Sequence, residues 1–137
     1  MRVVVDTNCL LASIPPKGQG HWLYEAFNAK KFIWVVSTEI LLEYYEMITE
    51  RFLKTTADLV IEIMLSKSNT ELSEPSFVWN LIEADPDDNK FANLALSVGA
   101  TFLVSNDKHF DIFSTIDFPP LKVLKLNEFK EILKQPF

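Results

Sequence analysis

Four short runs rich in apolar residues, Arg2–Val5, Phe32–Val36, Thr101–Val104 and Lys122–Lys125, alternate with stretches whose apolar residues recur at helical spacing. A run such as Val3-Val4-Val5 lacks the in–out alternation of a half-solvated strand and suits a strand covered on both faces. Strands separated by helices are joined by crossovers, which place helices on both faces of a parallel or mostly parallel sheet. Ligands of such sheets bind in the crevice beyond the carboxyl ends of the strands. The residues that leave the strands are therefore where chemistry is expected.

The intervening segments read as follows. A helical start runs through Cys9-Leu10-Leu11-Ala12, and Pro15 to Gly20 is a loop. His21 to Asn28 carries Trp22, Leu23, Ala26 and Phe27 on one helical face. Ser37-Thr38 caps a helix that runs to Arg51, and Thr55 to Ser66 forms a helical hairpin with it. Phe77 to Ile82 reads as a short strand or turn. Asp85 suits an N-cap and Pro86 the first helical position, with Asp87 and Asp88 in the first turn, where the helix dipole favours negative charge. Phe91, Ala92 and Ala95 follow Asp88 down one face, and Gly99 closes the helix. His109 to Phe113 reads as one helical turn, Phe118-Pro119-Pro120 as a loop, and Asn127 to Leu133 as a last helix. Residues 1–137 are expected to form a single domain.

Composition narrows the function. With 48% hydrophobic residues and 23% charged, the chain is not of a disordered type. A net charge of −6 argues against a module that coats nucleic acid with a basic stripe. The lone Cys9 excludes an internal disulfide framework, and the absence of a long apolar run or a basic leader predicts a cytoplasmic protein with no membrane association. Asp6 to Leu11 contains no glycine after the first strand, which excludes a dinucleotide fingerprint.

Topology gathers four acids at one edge. Asp6 ends the first strand and Asp107 a later one, while Asp88 opens the helix that leads into that later strand. Glu43 lies about six residues into the helix after the second strand, some 9 Å along it, so that helix has to lean over the crevice. Four carboxylates in one crevice repel one another unless cations lie between them. Hard oxygen ligands suit Mg²⁺ or Mn²⁺ better than zinc, and such ions serve phosphodiester hydrolysis. Asn8, Ser105 and Asn106 are placed to support the carboxylates. His21 and His109 have no partner at metal-ligand spacing and read as surface or hydrogen-bonded histidines. Cys9 reads as a small core residue.

The same positions resemble a known family. Asp6-Thr7-Asn8 after an apolar strand, Ser37 to Glu43, Asp88 with Ala92 and Ala95, and Val104-Ser105-Asn106-Asp107 look like the ordered motifs of PIN domains. The longer segments Asp85–Phe91 and Leu103–Phe110 resemble the prokaryotic subgroup described as toxins of toxin–antitoxin pairs. The resemblance implies a three-layer α/β/α sandwich and a Mg²⁺- or Mn²⁺-dependent ribonuclease. It also implies a homodimer, an RNA substrate and an antitoxin partner. Its acids fall on Asp6, Glu43, Asp88 and Asp107, with Asn8 and Ser105 as polar supports; a register shift would move the third to Asp87. The competing expectation is a PIN-like scaffold that binds RNA or a protein partner without cutting.

Overall fold

The computed structural model describes residues 1–76, 82 and 88–134. Five strands, β1 (Arg2–Val5), β2 (Ile33–Val36), β3 (Thr70–Leu72), β4 (Phe102–Val104) and β5 (Val123–Leu124), form one sheet in the order β3-β2-β1-β4-β5. Every pairing is parallel. Among the described residues six helices accompany them: α1 (Thr7–Ser13), α2 (His21–Asn28), α3 (Thr38–Arg51), α4 (Lys54–Ser66), α5 (Asn89–Val98) and α6 (Leu126–Lys134). The chain steps outward from β1 to β2 to β3, then crosses back to lay β4 on the other side of β1. The winding therefore reverses between β1 and β4, and the carboxyl ends of those two strands flank the crevice such folds use for ligands.

Register and pleat assign the two faces. Val3 pairs with Trp34 and with Phe102, so these three point to one side. There Trp34 meets Phe27 of α2 edge-on at 5.3 Å and Tyr44 of α3 at 6.4 Å, and Phe102 meets Phe129 of α6 at 6.3 Å. Arg2 and Val4 point to the opposite side. Arg2 donates from Nε to Glu71 of β3 at 3.0 Å, pairs with the same carboxylate through Nη2, and donates from Nη1 to the Val98 carbonyl at the end of α5. The guanidinium holds the Glu71 carboxyl below its ordinary range by hydrogen bonding to it. The sheet is thus flanked by helices on both faces, as the alternating pattern predicts.

Most expected elements are present, with differences that have local causes. β3 was not expected: it is short and polar, half-buried at Thr70 and Glu71, and lies at the sheet edge, so it carries no apolar run. The buried Asn69 fixes its entry by donating from Nδ2 to the carbonyls of Phe27 and Phe32 at 2.8 and 3.0 Å. α1 begins at Thr7 rather than Cys9, with Asp6 at its N-cap position. Ser37 caps α3, accepting from the Ile40 amide at 3.2 Å. Gly99 ends α5 in the left-handed region at φ 62°, where glycine carries no side-chain penalty. The expected helical turn after β4 is a 3₁₀ segment, Lys108–Ser114. The expected roles of Asp85, Pro86 and Asp87, and most of the expected strand or turn from Phe77 to Ile82, lie outside the described residues. Among the described residues, no helix is long and apolar enough to cross a membrane.

Candidate functional site

Asp6 follows β1 directly, and its amide donates to the Val104 carbonyl of β4 at 2.9 Å, which locks the two strand ends side by side. From β4 the buried Ser105 reaches across and donates from Oγ to Asp6 Oδ2 at 2.7 Å. The same Oγ accepts from the Asp107 amide at 3.0 Å, so one hydroxyl joins the two strand ends. Asp107 then caps the 3₁₀ segment, its Oδ1 accepting from the His109 amide at 2.9 Å.

The other two acids arrive on helices. Asp88 sits at the N-cap position of α5 and is buried. Its neighbour Asn89 pins the approach to the helix, accepting from the Ile82 amide at 3.0 Å and donating to the Ile82 carbonyl at 3.2 Å. Glu43 is half-buried on α3, whereas Glu39, Glu46 and Glu50 of the same helix are exposed. Glu43 Oε1 accepts from Lys90 Nζ at 2.6 Å, and Oε2 accepts from Thr7 Oγ1. α3 therefore does lean over the crevice, and the contacts form a circuit. Glu43 joins Thr7 beside Asp6, Asp6 joins Ser105 and Asp107, and Lys90 beside Asp88 returns to Glu43.

His109 closes that circuit. Its Nδ1 lies 3.2 Å from Asp88 Oδ2 and 3.3 Å from Asp107 Oδ1. The expectation that His109 has no partner at metal-ligand spacing is overturned: its partners are two of the four acids. Asp88 lies 21 positions away, so no local spacing could reveal the contact. Thr7 and Lys90 were likewise not singled out, though each sits within two positions of an expected acid. Of the expected supports, Ser105 takes that role. Asn106 instead accepts the Leu126 amide at the start of α6 at 2.9 Å, and Asn8 is exposed on the first turn of α1.

The donor chemistry fits a small divalent cation. Asp88, Asp107 and His109 offer ligand atoms that all lie within 4.8 Å of one another. Two ligands at right angles about a Mg²⁺-sized ion, each at ~2.1 Å, would be about 3.0 Å apart. Lys90 and the hydrogen bonds of Ser105 and Thr7 offset part of the repulsion among the acids.

Asp6 shows the strain of the arrangement. Burial pushes its carboxyl above the ordinary 3.8, the Ser105 hydrogen bond opposes that rise, and the charges of Asp107 and Glu43 add to it. Burial, with the Asp6 charge behind it, likewise pushes the Cys9 thiol up to about 12, so it stays protonated and inert. A carboxyl raised by folding costs stability once it ionises, so its penalty is absent in acid and grows as pH rises past the ordinary value. Asp6→Asn is therefore expected to raise the melting temperature in chelator-treated buffer at pH 7 by a few degrees. The gain should shrink as the pH falls towards 3.8. A calorimetric scan giving no gain at pH 7 would mean that ionised Asp6 is well compensated.

Comparison with known proteins places this geometry. A PIN domain family model matches residues 2–109. Among curated proteins there is no significant match. Of solved structures, VapBC2 from Rickettsia felis, bound to a DNA fragment from its promoter, superposes with a TM-score of 0.64 at 19% identity, over 91% of this chain and 98% of that one. DNA-bound VapBC from Salmonella typhimurium gives 0.61 at 19% identity, over 92% and 98%. VapC20 from Mycobacterium tuberculosis, described as a toxin that cleaves the sarcin–ricin loop, gives 0.59 at 13%, over 80% and 93%. At these identities the likeness is one of fold.

Proposed function

The chain belongs to the PIN domain family, and from that premise we propose that it is a divalent-cation-dependent endoribonuclease, the toxin half of a toxin–antitoxin pair. The observation that carries this reading is the meeting of Asp6, Glu43, Asp88 and Asp107 around the crevice between β1 and β4, through the Ser105, Lys90 and His109 contacts. Asp88 and Asp107 would hold Mg²⁺ or Mn²⁺, with Asp6 and Glu43 nearby in the same crevice. When bound, the ion supplies Lewis acidity towards a phosphoryl oxygen and a hydroxide source near neutral pH.

The protein's own groups define the rest. Ser105 fixes the orientation of Asp6 by donating to one of its oxygens, and Thr7 does the same for Glu43. Lys90 sets a positive charge against Glu43, which limits repulsion of a polyanionic RNA at an otherwise acidic edge. The antitoxin and a second copy of the chain are the protein partners proposed. In support, Leu42, Leu53, Leu59 and Leu65 on and between α3 and α4 are exposed.

The direct test is cleavage of RNA by the purified chain with Mn²⁺ or Mg²⁺, with excess chelator, and with metal restored. Cleavage that stops with chelator and returns with metal is expected. Cleavage indifferent to chelator would overturn the metal assignment. Intact RNA under every ion, with RNA binding retained, would favour the non-cutting scaffold.

A further inference from the structure

Resting on the reading above, we propose that His109 is a direct ligand of the cation through Nδ1, beside Asp88 and Asp107, and that this nitrogen selects Mn²⁺ over Mg²⁺. The geometry comes from two separate constraints. Asp107 accepts the His109 backbone amide at 2.9 Å, which sets the turn that carries the ring. Asp88, at the N-cap of α5, then meets the same ring nitrogen at 3.2 Å. Nδ1 consequently lies 3.2 and 3.3 Å from one oxygen of each acid, close to the edge of about 3.0 Å that neighbouring ligands span around a small divalent ion.

One nitrogen cannot hold a proton and an ion together. In the metal-free protein Nδ1–H can donate to the two carboxylates. With the proton on Nε2 instead, the Nδ1 lone pair faces the same point between them. Entry of an ion thus requires Nδ1 to present its lone pair rather than a proton. Imidazole suits transition metals, whereas Mg²⁺ prefers oxygen donors and keeps several waters. A site of two carboxylates and one imidazole therefore discriminates where four carboxylates alone would do so weakly.

The test uses the full chain loaded with Mn²⁺ alone and read by pulsed electron paramagnetic resonance, beside His109→Gln, His109→Ala and Asp88→Asn. The wild type is expected to show ¹⁴N modulation of a coordinated imidazole on the Mn²⁺ signal. Both His109 variants should lose it and bind Mn²⁺ more than about tenfold more weakly. Mg²⁺ affinity, measured by competition, should move by less than about threefold. Bound Mn²⁺ without nitrogen modulation in the wild type would overturn the His109 assignment and leave the carboxylate site standing. Equal losses for both ions would overturn the selectivity. No Mn²⁺ binding by the wild type would overturn this proposal together with the metal-dependent reading beneath it.

Discussion

Asp88→Asn is expected to lower RNA cleavage by more than ~10²-fold while leaving the fold intact. Outer partners of metal ligands already account for about 10–100-fold when removed, and Asp88 is proposed to supply a ligand oxygen itself. Asparagine keeps the size of the side chain and can still accept from His109, so the N-cap position of α5 and the 3.2 Å contact have no steric reason to change. What disappears is the charge. Single-turnover cleavage at limiting Mn²⁺, beside circular dichroism and a melting curve, separates the two effects. Full activity in this variant would remove Asp88 from the site. Loss of activity with a collapsed melting curve would show that the residue serves the fold.

The second large effect concerns packing. Phe129→Ala is expected to cost about 3–5 kcal/mol, a fall in melting temperature of roughly 10–20 °C for a chain of this length. Phe129 is fully buried, and its ring lies 5.2 Å from Phe32, 6.1 Å from Trp22 and 6.3 Å from Phe102. It therefore joins α6 to α2, to the residue that enters β2 and to β4 at one point. Only half-buried neighbours such as Leu133 and Ile132 would remain to hold α6 on the sheet. Calorimetry or urea titration checks the value. A cost below about 1 kcal/mol would mean that the surrounding rings collapse into the space, or that α6 contributes little to the cooperative unit.

Much of this architecture was legible in the chain because its strands are short and almost wholly apolar. Val3-Val4-Val5 and Ile33-Trp34-Val35-Val36 announce strands buried on both faces, and the helices between them dictate a parallel sheet. From that topology follow the places of Asp6, Asp88 and Asp107 at one edge. Glu43 was legible only by supposing that α3 leans inward, which its bonds to Thr7 and Lys90 bear out.

The features that escaped are of two kinds. β3 carries Thr70 and Glu71, and an edge strand with one polar side writes no hydrophobic period into the sequence. His109, Thr7 and Lys90 acquire their meaning from contacts across 21 to 47 positions, which no local spacing encodes. Asn106 went the other way: its place beside an acid suggested support for the site, yet its side chain bonds the start of α6.

Arg2 and Asp6 stand at opposite poles of the same short strand. At the leading pole, one guanidinium fastens an outlying strand and the tail of a helix. At the trailing pole, acids are crowded together at the expense of comfort. The fastening of the sheet edge and the crowding of the acids thus fall to opposite ends of β1. A change at Arg2 would loosen the sheet edge at the pole away from the crowded acids.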